Sequence, residues 1–328
     1  MHAIKHFGFT FALTLAAACG SSETTSSTTS TSGSTGTDGV GGSTTSTSTS
    51  TSTGTSAGGG GGGGAAELTV QTYASDIAGP AVDSHLIVGS TEAVLVDGQF
   101  FKADALKVID LVKASGKKLT TVFLTHAHPD HYLGLEPIHA AFPQAKVVTT
   151  AAVLKEFQTK APGTFMYLKG MLTTQIADAL ATPEALAGNT ILVDGQPVTV
   201  IEMAHAGESE SAAVLALPGK KALIAGDLVY NDVHLVLSQC EWQGWLDNLT
   251  TLKGMGFEAI YPGHGAKADM SVFDADADYI KAVIPIMDAA ATPADAKSAI
   301  KQKYAKYGSD FLLNFSVDGY FATCKKAP

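Results

Sequence analysis

The densest cluster of metal-ligating residue types lies in one short segment, Thr125-His-Ala-His-Pro-Asp-His131. Three His and one Asp stand there within six positions, directly after the apolar run Val122-Phe-Leu124. Imidazole and carboxylate groups are the ligands that zinc and neighbouring transition metals accept in proteins. A polar surface loop would rarely combine so many of these groups directly after a buried strand, so the segment predicts a metal site.

The spacing within this segment suggests two ions rather than one. Side chains of an extended segment alternate, so His126 and His128 point to the same side and can bind one ion together. Pro129 then turns the chain, which leaves Asp130 and His131 free to face a second ion.

Three further candidates follow predicted strands later in the chain. They are His205 after residues 198–204, Asp227 after 222–226, and His264 after 259–260. Each of them alone would also fit a buried structural residue or a turn. Their positions at strand ends, after the first segment, indicate that they converge on the same site.

The elements that must position these residues read as strands, then helices, then strands again. Turn signals at 89–92, 194–195 and 218–219 predict hairpins in both halves of the chain. Helical spacing of apolar residues predicts helices over 103–114 and 246–255. Hairpins in both halves with helices between them favour an α/β four-layer αββα sandwich over an alternating parallel sheet.

In these motifs the sequence resembles the metallo-β-lactamase-fold metallo-hydrolase superfamily, and in particular its glyoxalase II-like, Asp-bridged members. The resemblance covers about residues 67–265. It rests on the histidine segment with Gly134 after it, His205, Gly226-Asp227, Pro262-Gly-His-Gly265 and Val96-Asp97-Gly98. It implies a sandwich of two mixed β-sheets with two metal ions at one edge.

The resemblance also implies a role for each metal-ligating residue. One metal would be held by His126, His128 and His205. The other would be held by Asp130, His131 and His264. Asp227 would bridge both ions, and Asp130 and Asp227 are the predicted catalytic carboxylates. Asp97 either orients a ligand His through its second ring nitrogen or caps its own turn.

The cofactors implied are two Zn²⁺ ions, with iron or a mixed metal pair as alternatives. A hydroxide on the metal pair would attack a carbonyl carbon of an ester, thioester, lactone or amide. β-Lactam hydrolysis is a second interpretation, although the exported β-lactamases of this fold usually carry Cys or Ser where this chain has Asp227. A mononuclear-iron persulfide dioxygenase is a third, and a metal-dependent binding protein without turnover is a fourth.

The amino-acid composition indicates which kinds of binding partner the protein can have. The chain has 328 residues, a formal net charge of −10 and 21 basic residues, all of them Lys. An acidic chain without Arg is poorly suited to the nucleic-acid backbone or to the glutathione that glyoxalase II binds. The expected partner is a small-molecule substrate, and nucleic acid is not expected.

The N-terminal part predicts export. Residues 1–19 combine Lys5, a short apolar stretch and a small-residue cleavage site before Cys19, which is typical of a bacterial lipoprotein signal. Cys19 would then carry a lipid anchor to a membrane, and the protein would be periplasmic or at the cell surface; cleavage without lipidation would make it secreted. Residues 20–65 form a Ser/Thr/Gly-rich linker predicted to be disordered, and 66–328 the catalytic domain.

The sequence offers fewer candidates for substrate contacts than for metal ligands. His234 and Trp242 follow the Asp227 strand and could line a pocket, whereas Trp245 is expected to pack in the core. The sequence leaves open whether Cys240 and Cys324 form a disulfide. Residues 151–188 are predicted as largely helical or irregular, and the alternating Asp residues at 274–278 as a solvated segment.

Overall fold

A computed structural model describes residues 66–325 of the chain. The predicted export signal at 1–19 with Cys19, the predicted linker at 20–65 and the last three residues lie outside the described residues. In the described part, none of the helices is long and apolar enough to span a membrane.

The first sheet has six strands in the order in which they occur along the chain. They are β1 Thr69–Ala74, β2 Asp83–Val88, β3 Glu92–Val96, β4 Lys118–Phe123, β5 Lys146–Thr149 and β6 Glu184–Ala185. β1, β2 and β3 are antiparallel, whereas β3 to β6 are parallel. The sheet is therefore mixed.

The second sheet has five strands in the order β11-β10-β9-β8-β7. They are β7 Thr190–Val193, β8 Gln196–Glu202, β9 Ala213–Ala216, β10 Leu223–Asn231 and β11 Ile260–Gly265. Only the β10–β11 pair is parallel among these described strands. The turn between β7 and β8 places Asp194 and Gly195 at positive φ, as the Asp-Gly pair predicts for a tight hairpin.

Eight helices of the described part flank the sheets. They are α1 Lys102–Ser115, α2 Pro129–Tyr132, α3 Leu135–Ala141, α4 Ala151–Leu172, α5 Trp242–Met255, α6 Val272–Ala289, α7 Pro293–Lys303 and α8 Asp310–Thr323. Helices α1, α3 and α4 pack on the first sheet, α5 and α6 pack on the second, and α7 and α8 pack against α6.

The alternation of strand residues explains the layers. Leu86 and Leu95 face the helices of the first half, while their neighbours Ile87 and Val94 face the second sheet. A strand that presents apolar side chains on both faces must be covered on both, which stacks helix, sheet, sheet and helix. The predicted αββα sandwich of two mixed sheets is confirmed.

Some elements differ from the sequence-based predictions. The sequence also predicts a helix that begins near His131 and ends before Pro143. The structure divides this stretch into α2 and α3, because the Gly134 amide donates to the Gln99 carbonyl at 2.7 Å rather than continuing the helix. The region 151–188 is mainly one 22-residue helix, α4. Asp276, expected in solvent, is buried and accepts a hydrogen bond from the Tyr230 amide.

Both sheets contribute to one shared edge. The Asp97 turn follows β3, and the His126–His131 segment follows β4. An antiparallel bridge joins His126 to Ala212, and another joins Val82 to His264. These bridges connect the two sheets beside the predicted ligands, so the metal-ligating segments are held by both halves of the sandwich.

A disulfide joins Cys240, just before α5, to Cys324 after α8, with 5.3 Å between their Cα atoms. The question that the sequence leaves open is therefore answered in favour of pairing. The bond links the segment that precedes α5 to the C-terminal helix.

We expect the double substitution Cys240→Ser with Cys324→Ser to lower the free energy of unfolding by about 2–5 kcal/mol, because it releases a long closed loop in the unfolded chain. The residues are 84 positions apart in the sequence. Urea unfolding of both proteins measures the difference. Two free thiols in unreduced, denatured Cys19→Ser protein would contradict the pairing.

Candidate metal centre

The first group of candidate ligands is His126, His128, Glu208 and Asp227, whose ligating atoms all lie within 4.8 Å of one another. His128 Nδ1 lies 2.8 Å from Glu208 Oε1, and His126 Nε2 lies 3.5 Å from Glu208 Oε2. The backbone of His128 is extended, and the centroids of the His126 and His128 rings lie 4.7 Å apart, so both imidazoles reach the same group, as the sequence predicts.

The second group is Asp130, His131, Asp227 and His264, again within 4.8 Å. His131 Nε2 lies 3.0 Å from Asp227 Oδ1, and His264 Nε2 lies 3.1 Å from Asp227 Oδ2. Asp130 Oδ2 lies 3.5 Å from His264 Nε2. Asp130 and His131 belong to α2, which begins with Pro129.

Asp227 belongs to both groups and lies on β10, where the register between β10 and β11 is irregular. The Tyr230 hydroxyl donates to Asp227 Oδ2 at 3.0 Å, and the Tyr230 ring stacks on His264. A Cβ at Gly263 would overlap Asp227 Oδ1. Glycine at 263 therefore lets β11 approach the shared carboxylate closely.

Asp97 fixes the orientation of the histidine segment. His131 Nδ1 donates to Asp97 Oδ2 at 2.9 Å, and the Thr125 amide donates to Asp97 Oδ1 at 2.8 Å. The Thr125 hydroxyl also donates to Asp97 Oδ2. Asp97 has a φ of 63°. The Asp97 carboxylate therefore takes the first of the two roles that the sequence leaves open, because it directs His131 Nε2 towards the centre and bonds to Thr125 and His131 rather than to its own turn.

Unpartnered atoms indicate what the centre is built to hold. Within residues 66–325, four buried atoms of the two groups have no hydrogen-bond partner: His126 Nε2, His131 Nε2, Glu208 Oε2 and Asp227 Oδ1. Buried polar atoms are normally paired, because leaving one unpaired costs about 1–3 kcal/mol. Imidazole nitrogens and carboxylate oxygens that converge without partners fit metal cations.

The electrostatics of the two groups are strongly coupled. Burial opposes ionisation of Asp227, but His131, His264 and His126 lower its pKa well below the usual range. Burial disfavours protonated His264, yet Asp227 raises its pKa to about 9. Burial raises the pKa of Glu208 to about 7 against the opposing effect of His128. The protein thus holds several buried carboxylates that only nearby positive charge stabilises.

The structure does not bring His205 into either group. The side chain of His205 is exposed in the loop after β8, and Glu208, three residues later, occupies the first group. The sequence analysis missed Glu208 and Tyr230. The available signal was an acidic residue following His205 in the same loop, and an aromatic residue three positions after Asp227 on the same strand.

His234 is not part of the centre either. It is buried, its Nδ1 pairs with the Tyr279 hydroxyl at 2.9 Å, and its ring lies near Tyr307. Burial lowers the pKa of His234 to about 4, so it is a neutral packing residue at pH 7. The prediction of a substrate contact at His234 is not supported.

Trp242 lies closer to the metal centre than His234 does. It is half-buried against Tyr320 and lines a small cavity together with Gly207 and Gln239. Gln239 Nε2 lies 3.3 Å from His128 Nε2, which links this cavity to the first group. Trp245, by contrast, is fully buried and donates to the Leu228 carbonyl, as expected for a core residue.

Two facing mixed sheets with a histidine–carboxylate centre at their shared edge define a metallo-hydrolase type of fold. The family model described as the metallo-beta-lactamase superfamily matches residues 78–264. The chain belongs to this superfamily, whose members are mostly hydrolytic enzymes. A search of curated protein sequences gave no significant match.

Solved structures support the fold. A metallo-beta-lactamase family protein from Thermus thermophilus is 19% identical, with a TM-score of 0.55 over 77% of this chain and 93% of that one. The B3 metallo-beta-lactamase BLEG-1 is 15% identical, with a TM-score of 0.50 over 62% and 95%. At these identities the similarity concerns the fold.

We expect Asp97→Asn to lower zinc affinity about 10–100-fold, because the amide removes the carboxylate that orients His131. Competition with a metal chelator measures the affinity. Asp194→Asn is the matched control, since Asp194 also has a positive φ in an Asp-Gly turn but lies in the β7–β8 hairpin. Equal affinities for Asp97→Asn and the unmodified protein would contradict the assigned role of Asp97.

Proposed function

We propose that the protein is a dinuclear zinc-dependent hydrolase that cleaves an ester, thioester, lactone or amide. The observation that carries the proposal is the sharing of Asp227 between two groups of ligating atoms. A carboxylate that belongs to both groups would suit a site that holds two cations. When bound there, such a pair supplies Lewis acidity, which polarises a carbonyl and lowers the pKa of water.

The residues of the chain have separate tasks in this proposal. His126, His128 and Glu208 would hold one ion, and His131, His264 and Asp130 the other, with Asp227 between them. The Tyr230 hydroxyl keeps the Asp227 carboxylate in place. Asp97 keeps His131 in the orientation that presents Nε2 to the centre.

Exposure indicates where a substrate would approach. The side chains of His128 and Asp130 are 18% and 20% exposed, whereas those of His126, His131 and His264 are at most 2% exposed. A substrate carbonyl would therefore enter from the side of His128 and Asp130. Asp130, at this entrance, is the carboxylate placed to hold a proton during bond cleavage.

The surroundings of this entrance support an uncharged acyl substrate. Gln239 lies against His128 and Trp242 lies near Gln239, so an amide and an aromatic side chain adjoin this entrance. The chain contains no Arg to bind a carboxylate or phosphate in bidentate fashion. β-Lactams are cyclic amides, so the proposed bond classes include them, but their carboxylate would find no Arg partner in this chain.

One observation favours a second candidate, an iron-dependent oxidation of a persulfide. His126, His128 and Glu208 form a set of two imidazoles and one carboxylate, which is typical of non-haem iron(II) enzymes. The shared position of Asp227 favours the dinuclear hydrolase instead. Elemental analysis separates the two candidates, because the second requires about one iron per chain.

We expect protein purified without added metal to contain about two zinc ions per chain and to hydrolyse at least one member of a panel of esters, thioesters, lactones and β-lactams.

His128→Ala and Asp227→Ala should each lower the metal content and reduce turnover by at least about 100-fold, because each removes a ligand. The controls are His139→Gln and Asp110→Asn, two residues outside both groups. Normal activity in either ligand variant would refute the site.

We also propose that the protein is exported and anchored to a membrane through a lipid on Cys19. The signal-like segment 1–19 and the following Ser/Thr/Gly-rich segment support this proposal. Cys19→Ser should move the protein from the membrane fraction to the soluble exported fraction, as measured by fractionation and immunoblotting. Recovery of the unmodified protein only in the soluble fraction would contradict lipid anchoring.

A further inference from the structure

We propose that Glu208, rather than His205, is the third protein ligand of the first metal position, next to His126 and His128. This inference rests on the proposed binding of two metal ions. It departs from the ligand set that the resemblance implies, because it replaces an imidazole by a carboxylate.

The first reason is the burial of Glu208. Its side chain is 3% exposed, and Oε1 lies 2.8 Å from His128 Nδ1. In the described chain, Oε2 has no hydrogen-bond partner and lies 3.5 Å from His126 Nε2. A buried carboxylate with an unpaired oxygen is costly unless a cation compensates it.

No lysine of the described residues pairs with this carboxylate. Lys160, the lysine that contacts this loop, pairs with Glu156 and Glu210 at 2.9 Å each. The neighbouring Asp227 carboxylate adds further negative charge to the same group. A metal cation between Glu208, Asp227 and the two imidazoles would balance these charges.

The second reason is that the loop is held on the side of Glu208. The Ser211 amide donates to Glu156 Oε2 on α4 at 2.9 Å, and the Ala213 amide donates to the Thr125 carbonyl. The bridge between Ala212 and His126 extends this pairing. The backbone that follows Glu208 is therefore attached directly to the histidine segment.

The third reason is that the backbone at His205 is held by α5. The His205 carbonyl accepts a hydrogen bond from the buried Asn248 amide at 2.7 Å. Gly244 packs so closely that a Cβ there would overlap the Ala206 carbonyl oxygen. Moving the exposed His205 imidazole into the centre would require breaking this packing.

With Glu208 as a ligand, the two metal positions have the same types of ligand. Each position has two imidazoles and two carboxylates, with Asp227 counted in both. The three carboxylates of Asp130, Glu208 and Asp227 offset three of the four positive charges of two divalent ions. The predicted set with His205 would offset only two.

The test compares Glu208→Gln, His205→Ala and Glu210→Gln in the full-length chain loaded with zinc and freed of excess metal. Glu210→Gln is the matched control, because Glu210 lies in the same loop but its side chain is 65% exposed. Two readouts are taken: zinc per chain by elemental analysis, and the rise in Tm on zinc addition to metal-free protein.

We expect Glu208→Gln to retain about one zinc ion and to lose more than about 100-fold in affinity at the first position, a larger effect than the 10–100-fold typical of residues that only orient a ligand. His205→Ala and Glu210→Gln should retain about two ions and the full rise in Tm. Glu208→His, which restores a ligating side chain at this position, should regain the second ion.

Loss of zinc in His205→Ala would overturn the proposal, and so would full zinc retention in Glu208→Gln. The zinc content of His205→Ala still tests whether His205 is a ligand if Glu208→Gln fails to fold. Absence of zinc from the unmodified chain would instead refute the proposed dinuclear zinc function, so the two failures are distinguishable.

Discussion

The buried carboxylate of Asp227 is the group on which the rest of the centre depends. Burial opposes its ionisation, but the imidazoles of His131, His264 and His126 lower its pKa against that effect. An isolated buried carboxylate would be strongly unfavourable. Its stabilisation therefore requires the segment after β4, the middle of β10 and the end of β11 to meet at one place, so the local chemistry depends on the packing of both sheets.

The strands that carry the ligands are brought together by close contacts between their backbones and neighbouring side chains. Gly263 brings β11 against Asp227, and Tyr230 fills the space on the other side by stacking on His264. Asp276 on α6 accepts from the Tyr230 amide, so the outer helix layer also supports this strand. Positional precision at a metal centre comes from such supporting contacts, because ligand atoms must match the ion within a few tenths of an ångström.

Much of this arrangement is predictable from the sequence. Hairpin turns, apolar alternation and helical spacing predict the four layers, because each strand must be covered on both faces. The histidine segment predicts two groups of ligands, because Pro129 separates an extended pair from a helical pair. The burial of Asp276 and of His234 is not predictable in this way, because it depends on α6 and on the segment just before α8, whose packing local sequence does not encode.

The loop after β8 illustrates the same limit at the centre itself. Sequence order favours His205, because imidazole is the more common metal ligand and the residue directly follows a strand. Which residue of a loop faces inward is decided by the backbone path, and here that path is set by distant partners: Asn248 and Gly244 on α5 hold one end, and Glu156 on α4 holds the other. These contacts involve residues separated by about 40 to 55 positions from the loop, so the acidic residue in the loop marks Glu208 as a candidate but does not decide between it and His205. Local sequence can therefore show that a loop carries metal-ligating side chains. Which of these side chains reaches the metal centre is decided by tertiary packing.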